Sequence, residues 1–265
     1  MKTTLLLPVL FFCNVVFSSC VNPVLFIGNS FTLVNNLPLV FERLATTKKV
    51  KSHTSAWGAA TFNSHWNSIS TRELLMSRNW TVVVLQEQSA FLADIPKNYI
   101  PRSIAYSAKL YDLASHYTTR VALFETWGYK NGNPTFQTGL DDTYDKMQVR
   151  LKTGYEATQT ALLLQHKQNT SAFVVYAGET WRTAMKRFVL HKQDDMHPTP
   201  HGTYLAACMF YSTLFNESPV GKSYTIKGVS RKHARILQRI AWDTYKNLQQ
   251  TCIRITTNCA GNAYK

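Results

Sequence analysis

Val24-Leu25-Phe26-Ile27-Gly28-Asn29-Ser30 reads as a strand that stops on a turn. Four consecutive apolar residues suit a parallel strand buried on both faces, and Gly28 permits a sharp turn before helical spacing resumes. Similar apolar, β-branched runs recur at 50–55, 81–85, 120–124 and 172–176. Segments of helical period lie between and after them, at 37–45, 101–116, 141–166, 203–215 and 231–249. Strands alternating with helices predict an α/β fold: an open parallel sheet of five strands with right-handed crossovers. No internal repeat, low-complexity tract or Pro/Ser-rich linker interrupts the pattern, which reads as one domain. Residues 129–139, with Gly132, Pro134 and Gly139, form the clearest long loop.

In such sheets the working groups collect at the carboxyl ends of the strands. The first run leads into Gly28-Asn29-Ser30, the second into Trp57-Gly58 and the third into Gln86-Glu87-Gln88-Ser89. The fourth ends at Glu125-Thr126-Trp127-Gly128 and the fifth at Gly178-Glu179-Thr180-Trp181. Polar, Gly or Trp residues therefore stand at every strand end, where they could share one crevice.

A serine hydroxyl needs a base to take its proton and a third group to orient that base. Ser30 follows a strand and precedes a helical pattern, which aims it into the crevice; the plain alternative is a helix N-cap. Far along the chain, Asp194-Asp195-Met196-His197-Pro198 sets an acid three residues before a histidine, ahead of an apolar helix. On a tight turn that spacing lets the carboxylate hold one imidazole nitrogen while the other faces the serine. His197 and His201 are also four apart, but Pro198 and Pro200 oppose a regular helix there and no Glu follows the first His, so no metal is expected. No cofactor motif is present. Glu87, Glu125 and Glu179 leave a paired-carboxylate glycosidase as a remote alternative. Trp57, Trp127 and Trp181 would suit stacking against a sugar ring or an acyl group, or equally core packing.

Together these blocks resemble the SGNH, or GDSL-type, serine hydrolase superfamily, in a subgroup whose first block reads Gly-Asn-Ser-Phe. Residues 24–32, 82–89, 194–198 and the Gly202-Thr203-Tyr204-Leu205 stretch carry the resemblance, which spans about 24–215. It implies a three-layer α/β/α sandwich of flavodoxin-like topology, with Ser30 as nucleophile, His197 as base and Asp194 as its orienting acid. Asp195 ranks second because the family spacing is Asp-x-x-His. The resemblance further implies an oxyanion hole made by the Ser30 N–H, Gly58 and a side-chain amide from the third block. There the chain has Gln86-Glu87-Gln88 where the family has Gly-x-Asn-Asp, so Gln86 is the expected donor, with Gln88 second. Asn29 stands where Asp is common and is expected to affect turn geometry rather than chemistry. The implied activity is hydrolysis of a small ester, foremost O-acetyl groups on a carbohydrate; a non-catalytic protein holding a glycan or an anionic surface is the competing class.

The 265 residues carry 29 Lys and Arg against 15 Asp and Glu, a formal charge of +14. That balance favours acidic polymers, surfaces or substrates, but no nucleic-acid motif accompanies it and no nucleic-acid partner is expected. Lys222, Lys227, Arg231, Lys232, Arg235 and Arg239 form a modest concentration. At the N-terminus, Lys2, an apolar run over 5–17 and the small Ser18 and Ser19 predict a secretory signal peptide at 1–20 before a domain at 21–265. A lipoprotein anchor at Cys20 is the lesser reading, since Phe17 fits it poorly. No later apolar run reaches the ~18 residues of a membrane span. Cys252 and Cys259 could close a small disulfide loop outside the cell, whereas Cys208 sits in an apolar stretch and is expected as a buried free thiol. Asn79, Asn169 and Asn216 head glycosylation sequons.

Overall fold

The computed structural model describes residues 21–93, 99–134, 142–165 and 170–261, with backbone alone from 251. The predicted leader, with Cys20, and Asn169 lie outside the described residues, as do 135–139 of the predicted loop. Five strands, β1 (Asn22–Gly28), β2 (Val50–Ala56), β3 (Val82–Leu85), β4 (Arg120–Glu125) and β5 (Ser171–Tyr176), form one parallel sheet in the order β2-β1-β3-β4-β5. Every apolar run identified in the sequence is one of these strands. β3 is buried throughout and β4 from Val121 on because helices cover both faces, which is why they read as apolar runs.

The chain leaves β1 through a one-turn helix α1 (Ser30–Leu33) and α2 (Leu37–Leu44) to reach β2. After β2 come α3 (Phe62–Asn67) and α4 (Ile69–Met76); after β3 come α5 (Ser89–Ala93) and α6 (Tyr99–Ser115). Helix α7 (Tyr144–Leu163) joins β4 to β5, and α8 (Ala177–Ala184), α9 (Pro200–Phe215) and α10 (Arg231–Gly261) follow. Helices α2, α8 and α10 pack on α9, while α3 to α7 pack on one another across the sheet, giving three layers. Phe26 of β1 and Phe124 of β4 both meet Phe210 of α9 edge-on, at 5.3 and 5.0 Å between ring centroids. Helix α9 is buried almost all round, so its sequence shows little of the one-sided pattern of a surface helix.

The short helices α3, α4, α5 and α8 were not expected from periodicity. Two of them are held by caps that leave no long repeat: Thr61 and Ser64 bond reciprocally at the start of α3, and Ser68 caps α4. Cys208 is a buried free thiol. Cys252 and Cys259 both fall on the part of α10 described by its backbone alone. Among the described residues no helix is long and apolar enough to cross a membrane.

Candidate active site

In this strand order the chain moves outward from β1 to β2 and then crosses to β3 on the other side, opening a crevice at the carboxyl ends of β1 and β3. Ser30 occupies the first position of α1, directly beyond β1. Asn29 caps that turn: its Oδ1 accepts from the Phe31 N–H at 3.1 Å, and its Nδ2 donates to the Ala60 carbonyl at 3.1 Å. Asn29 thus joins the serine turn to the Gly58-Ala59-Ala60 loop after β2. An Asp there would put an acceptor against the Ala60 carbonyl, so the amide has a structural reason.

Gly28 acts differently from the expectation. Its φ is not positive. It is needed for room, since a Cβ at this position would lie 2.4 Å from Thr32 Oγ1 and 2.6 Å from Gln86 Oε1. The Gly28 carbonyl meets His65 Nε2 at 2.8 Å, and burial lowers the pKa of that histidine to about 4, keeping it neutral.

The loop between α8 and α9 supplies the other half of the site. It folds back on itself through an isolated antiparallel bridge, His191 to Pro198, with the Lys192 N–H on the His197 carbonyl at 2.8 Å. At its tip Asp194 Oδ1 accepts the N–H groups of Met196 and His197, at 3.0 and 2.9 Å. Asp194 Oδ2 lies 2.7 Å from His197 Nδ1, and His197 Nε2 lies 2.8 Å from Ser30 Oγ. Partial burial works to raise the Asp194 pKa. The two N–H groups and the imidazole outweigh it and hold the carboxyl down at about 2. Asp195 turns away: it sits at φ 60° and its carboxylate takes Asn131 Nδ2 at 2.8 Å and Lys130 Nζ at 3.3 Å. His201 faces His233 at 2.9 Å rather than His197.

Trp127 and Trp181 are corrected by the structure. Both are fully buried, stacked 3.8 Å apart between ring centroids at 8°, and Phe31 stacks on Trp127 at 4.9 Å. Trp127 Nε1 donates to the Met196 carbonyl at 2.9 Å, so this aromatic column braces the His197 loop rather than facing substrate. Trp57 alone of the three is exposed, tilted against His65 at 4.3 Å on the loop that carries Gly58.

Gln86 is also corrected. It is fully buried, and its Oε1 accepts the Asn29 N–H at 2.8 Å and the Thr32 hydroxyl at 3.0 Å, while Nε2 donates to the Glu87 carbonyl at 2.5 Å. The Asn29 N–H is an obligate donor, which fixes the amide orientation, and Gln86, with one Nε2 hydrogen on the Glu87 carbonyl, is buried away from the cavity that Ser30 borders. Gln88 stands on the pocket wall instead. Its Oε1 is taken by the Ala90 N–H at 2.6 Å, which leaves the NH2 group on the side of Tyr129 Oη, a loose 3.5 Å away.

Glu87 and Glu125 are not a catalytic pair facing the pocket. Glu87 Oε1 accepts the N–H groups of Phe62 and Gln88, at 3.0 and 2.8 Å, and burial raises its pKa to about 7. Glu125, whose carboxyl burial and the neighbouring Glu179 push well above the usual range, accepts the Gly178 N–H at 2.9 Å and Gln148 Nε2 at 2.5 Å.

Ser30, His197, Gly58, Ala59, Gln88 and Tyr129 line a cavity of about 360 Å³. Among the described residues its walls carry no Asp, Glu, Lys or Arg. The Ser30 N–H, at the first position of a helix, has no intrahelical acceptor and is free for an anion. Such an arrangement can deprotonate a serine as it attacks a carbonyl and place N–H groups at the oxygen that becomes charged.

No protein-family model and no curated protein matches the chain. Solved structures do. A candidate SGNH hydrolase from Slackia heliotrinireducens is 25% identical, with 74% of this chain and 100% of that one covered at a TM-score of 0.58. A DUF4886 family protein from Bacteroides uniformis is 17% identical over 84% of this chain and 94% of that one, with a TM-score of 0.66. Axe2, an acetylxylan esterase from Geobacillus stearothermophilus, is 13% identical over 74% and 95%, with a TM-score of 0.51.

Proposed function

By its fold the chain belongs to the SGNH hydrolase superfamily, and we propose that it is a serine esterase acting on small carboxylic esters, foremost O-acetyl groups on a carbohydrate. One observation carries this reading: the unbroken chain Ser30 Oγ to His197 Nε2 and His197 Nδ1 to Asp194, at 2.8 and 2.7 Å. In the proposed reaction His197 takes the Ser30 proton as Oγ attacks the ester carbonyl. Asp194 holds the imidazole in the required tautomer and stabilises the imidazolium. The oxyanion is received by the Ser30 and Gly58 N–H groups and by Gln88 Nε2, which takes the role first expected of Gln86. Collapse expels the alcohol with the proton from His197 and leaves an acyl group on Ser30. Water, deprotonated by the same histidine, then releases the acid.

The modest, uncharged cavity supports a short acyl group, and exposed Trp57 beside Gly58 supports a sugar on the alcohol side. Acetylxylan hydrolysis is the activity in the name of Axe2, and transferring that chemistry here is part of the proposal. Secretion through the 1–20 leader belongs to it as well.

The test is stoichiometric labelling by an organophosphonate, with burst kinetics on p-nitrophenyl acetate. Labelling should vanish in Ser30→Ala, and kcat should fall by about 10⁴-fold or more. A folded wild-type protein that takes no label and shows no turnover on acetyl esters would overturn the enzyme reading and favour a non-catalytic binding protein. Screening acetyl against longer acyl esters, and Trp57→Ala on acetylated oligosaccharides, would test the substrate.

A further inference from the structure

We propose that the cationic groove between α8 and α10 is a binding site for an acidic, carboxylate-bearing polysaccharide, separate from the serine pocket. Lys186 and Arg187, just past α8, face Arg235 and Arg239 of α10 across a cavity of about 600 Å³ floored by Ile236 and Ile240. A second cavity, of about 140 Å³, continues it past Gly221 and Arg235 to Lys222 and Arg231. Neither cavity shares a residue with the Ser30 pocket.

Three observations point to a ligand. Among the described residues, Lys186, Arg187, Arg231, Arg235 and Arg239 have no ion-pair partner, and the one acid on the wall, Asp243, is paired with Lys246 at 3.1 Å. Next, Arg231, Arg235 and Arg239 repeat every four residues on one exposed stripe of α10. Like charges at that spacing destabilise a helix, and cations in its first turn oppose the helix dipole. No acid stands in that first turn to offset them, so the stripe costs the fold something that folding alone does not require. Last, the four-residue repeat sets the charges about 6 Å apart along the axis, close to the length of one pyranose ring, so consecutive uronates could meet consecutive arginines.

The shape chooses among polyanions. A flat bilayer would contact the rims of a concave groove and miss its apolar floor. A nucleic-acid strand would seek stacking aromatics, and among the described residues neither cavity is lined by one. A chain of sugar rings presents carboxylates at its edge and apolar C–H faces to Ile236 and Ile240. The binding is independent of whether Ser30 is a nucleophile.

The experiment is affinity electrophoresis and calorimetry of the full chain with polygalacturonate, against neutral dextran. Wild type should be retarded by polygalacturonate alone, with affinity falling between about 0.05 and 0.3 M salt. Arg235→Glu/Arg239→Glu and, independently, Lys186→Glu/Arg187→Glu should each bind at least about tenfold more weakly, with turnover of p-nitrophenyl acetate unchanged. Lys109→Glu, on α6 in the opposite layer, lowers the net charge outside the groove and should leave binding as it is. Should a reversed pair fail to fold, Arg235→Gln/Arg239→Gln carries the same test. Equal retardation by dextran, unchanged binding by both groove variants, or an equal loss in Lys109→Glu would overturn the proposal. So would binding to phosphatidylglycerol vesicles or duplex DNA without binding to polygalacturonate.

Discussion

Exchanging the two glutamines after β3 should separate stability from chemistry. Gln86→Met keeps the length of the side chain but removes its polar end. The Asn29 N–H and the Glu87 carbonyl then lose their partners in a fully buried position, while the Thr32 hydroxyl can rotate to another acceptor. An orphaned buried polar group costs about 1–3 kcal/mol, so two of them predict a loss of about 2–6 kcal/mol. For a domain of this size that is a drop of roughly 4–24 °C in Tm. Gln88→Ala touches a half-buried side chain on the pocket wall and should change stability by about 0.5 kcal/mol or less. It should instead lower kcat on p-nitrophenyl acetate by about 10²-fold or more, as removal of an oxyanion donor does. Urea or thermal melts beside steady-state kinetics on both variants measure the contrast. A Gln86→Met protein that melts like wild type but has lost its turnover would refute the reasoning. A fully active Gln88→Ala would remove Gln88 from the oxyanion hole.

Further outcomes follow from the same geometry. Glu87 carries a raised pKa, so the folded state holds a proton that the unfolded chain releases near 4.5, and stability falls as pH rises towards 7. At 1.36 kcal/mol per pH unit that interval is worth about 3 kcal/mol, and Glu87→Gln, which can still accept both N–H groups, should flatten this part of the melting-temperature profile. Asp194 has the opposite sign: its lowered pKa adds stability that is present above the unfolded value near 3.8 and is lost as pH falls through about 2. Because its carboxylate is 42% exposed, solvent screening leaves about 1 kcal/mol of it, and Asp194→Asn should show its larger effect on kcat, at about 10²–10⁴-fold. Trp127→Phe deletes the bond to the Met196 carbonyl and should lower stability by about 1–2 kcal/mol and kcat several-fold, with KM unchanged; a shifted KM would mean that Trp127 does meet substrate. Gly28→Ala forces its methyl into Thr32 and Gln86 and should cost about 1–3 kcal/mol or more, measured by chemical denaturation.

The amino-acid sequence by itself determined the sheet and its buried strands, because a strand covered on both faces must be apolar at every position, and that pattern is local. It also determined the serine turn and the three-residue spacing of Asp194 and His197, since a short loop brings those two together wherever it lies. Which way a side chain points once a strand has ended is not local. Gln86 and Gln88 differ by two positions and by nothing in composition, yet one is sealed beneath Asn29 and the other borders the cavity. Trp127 and Trp181 stand at strand ends as Trp57 does, but their place is set by packing on Phe31 and under the His197 loop. The distance of 2.8 Å between Ser30 and His197, 167 positions apart, likewise exists only because α8, α9 and that aromatic column hold the loop over the β1 turn.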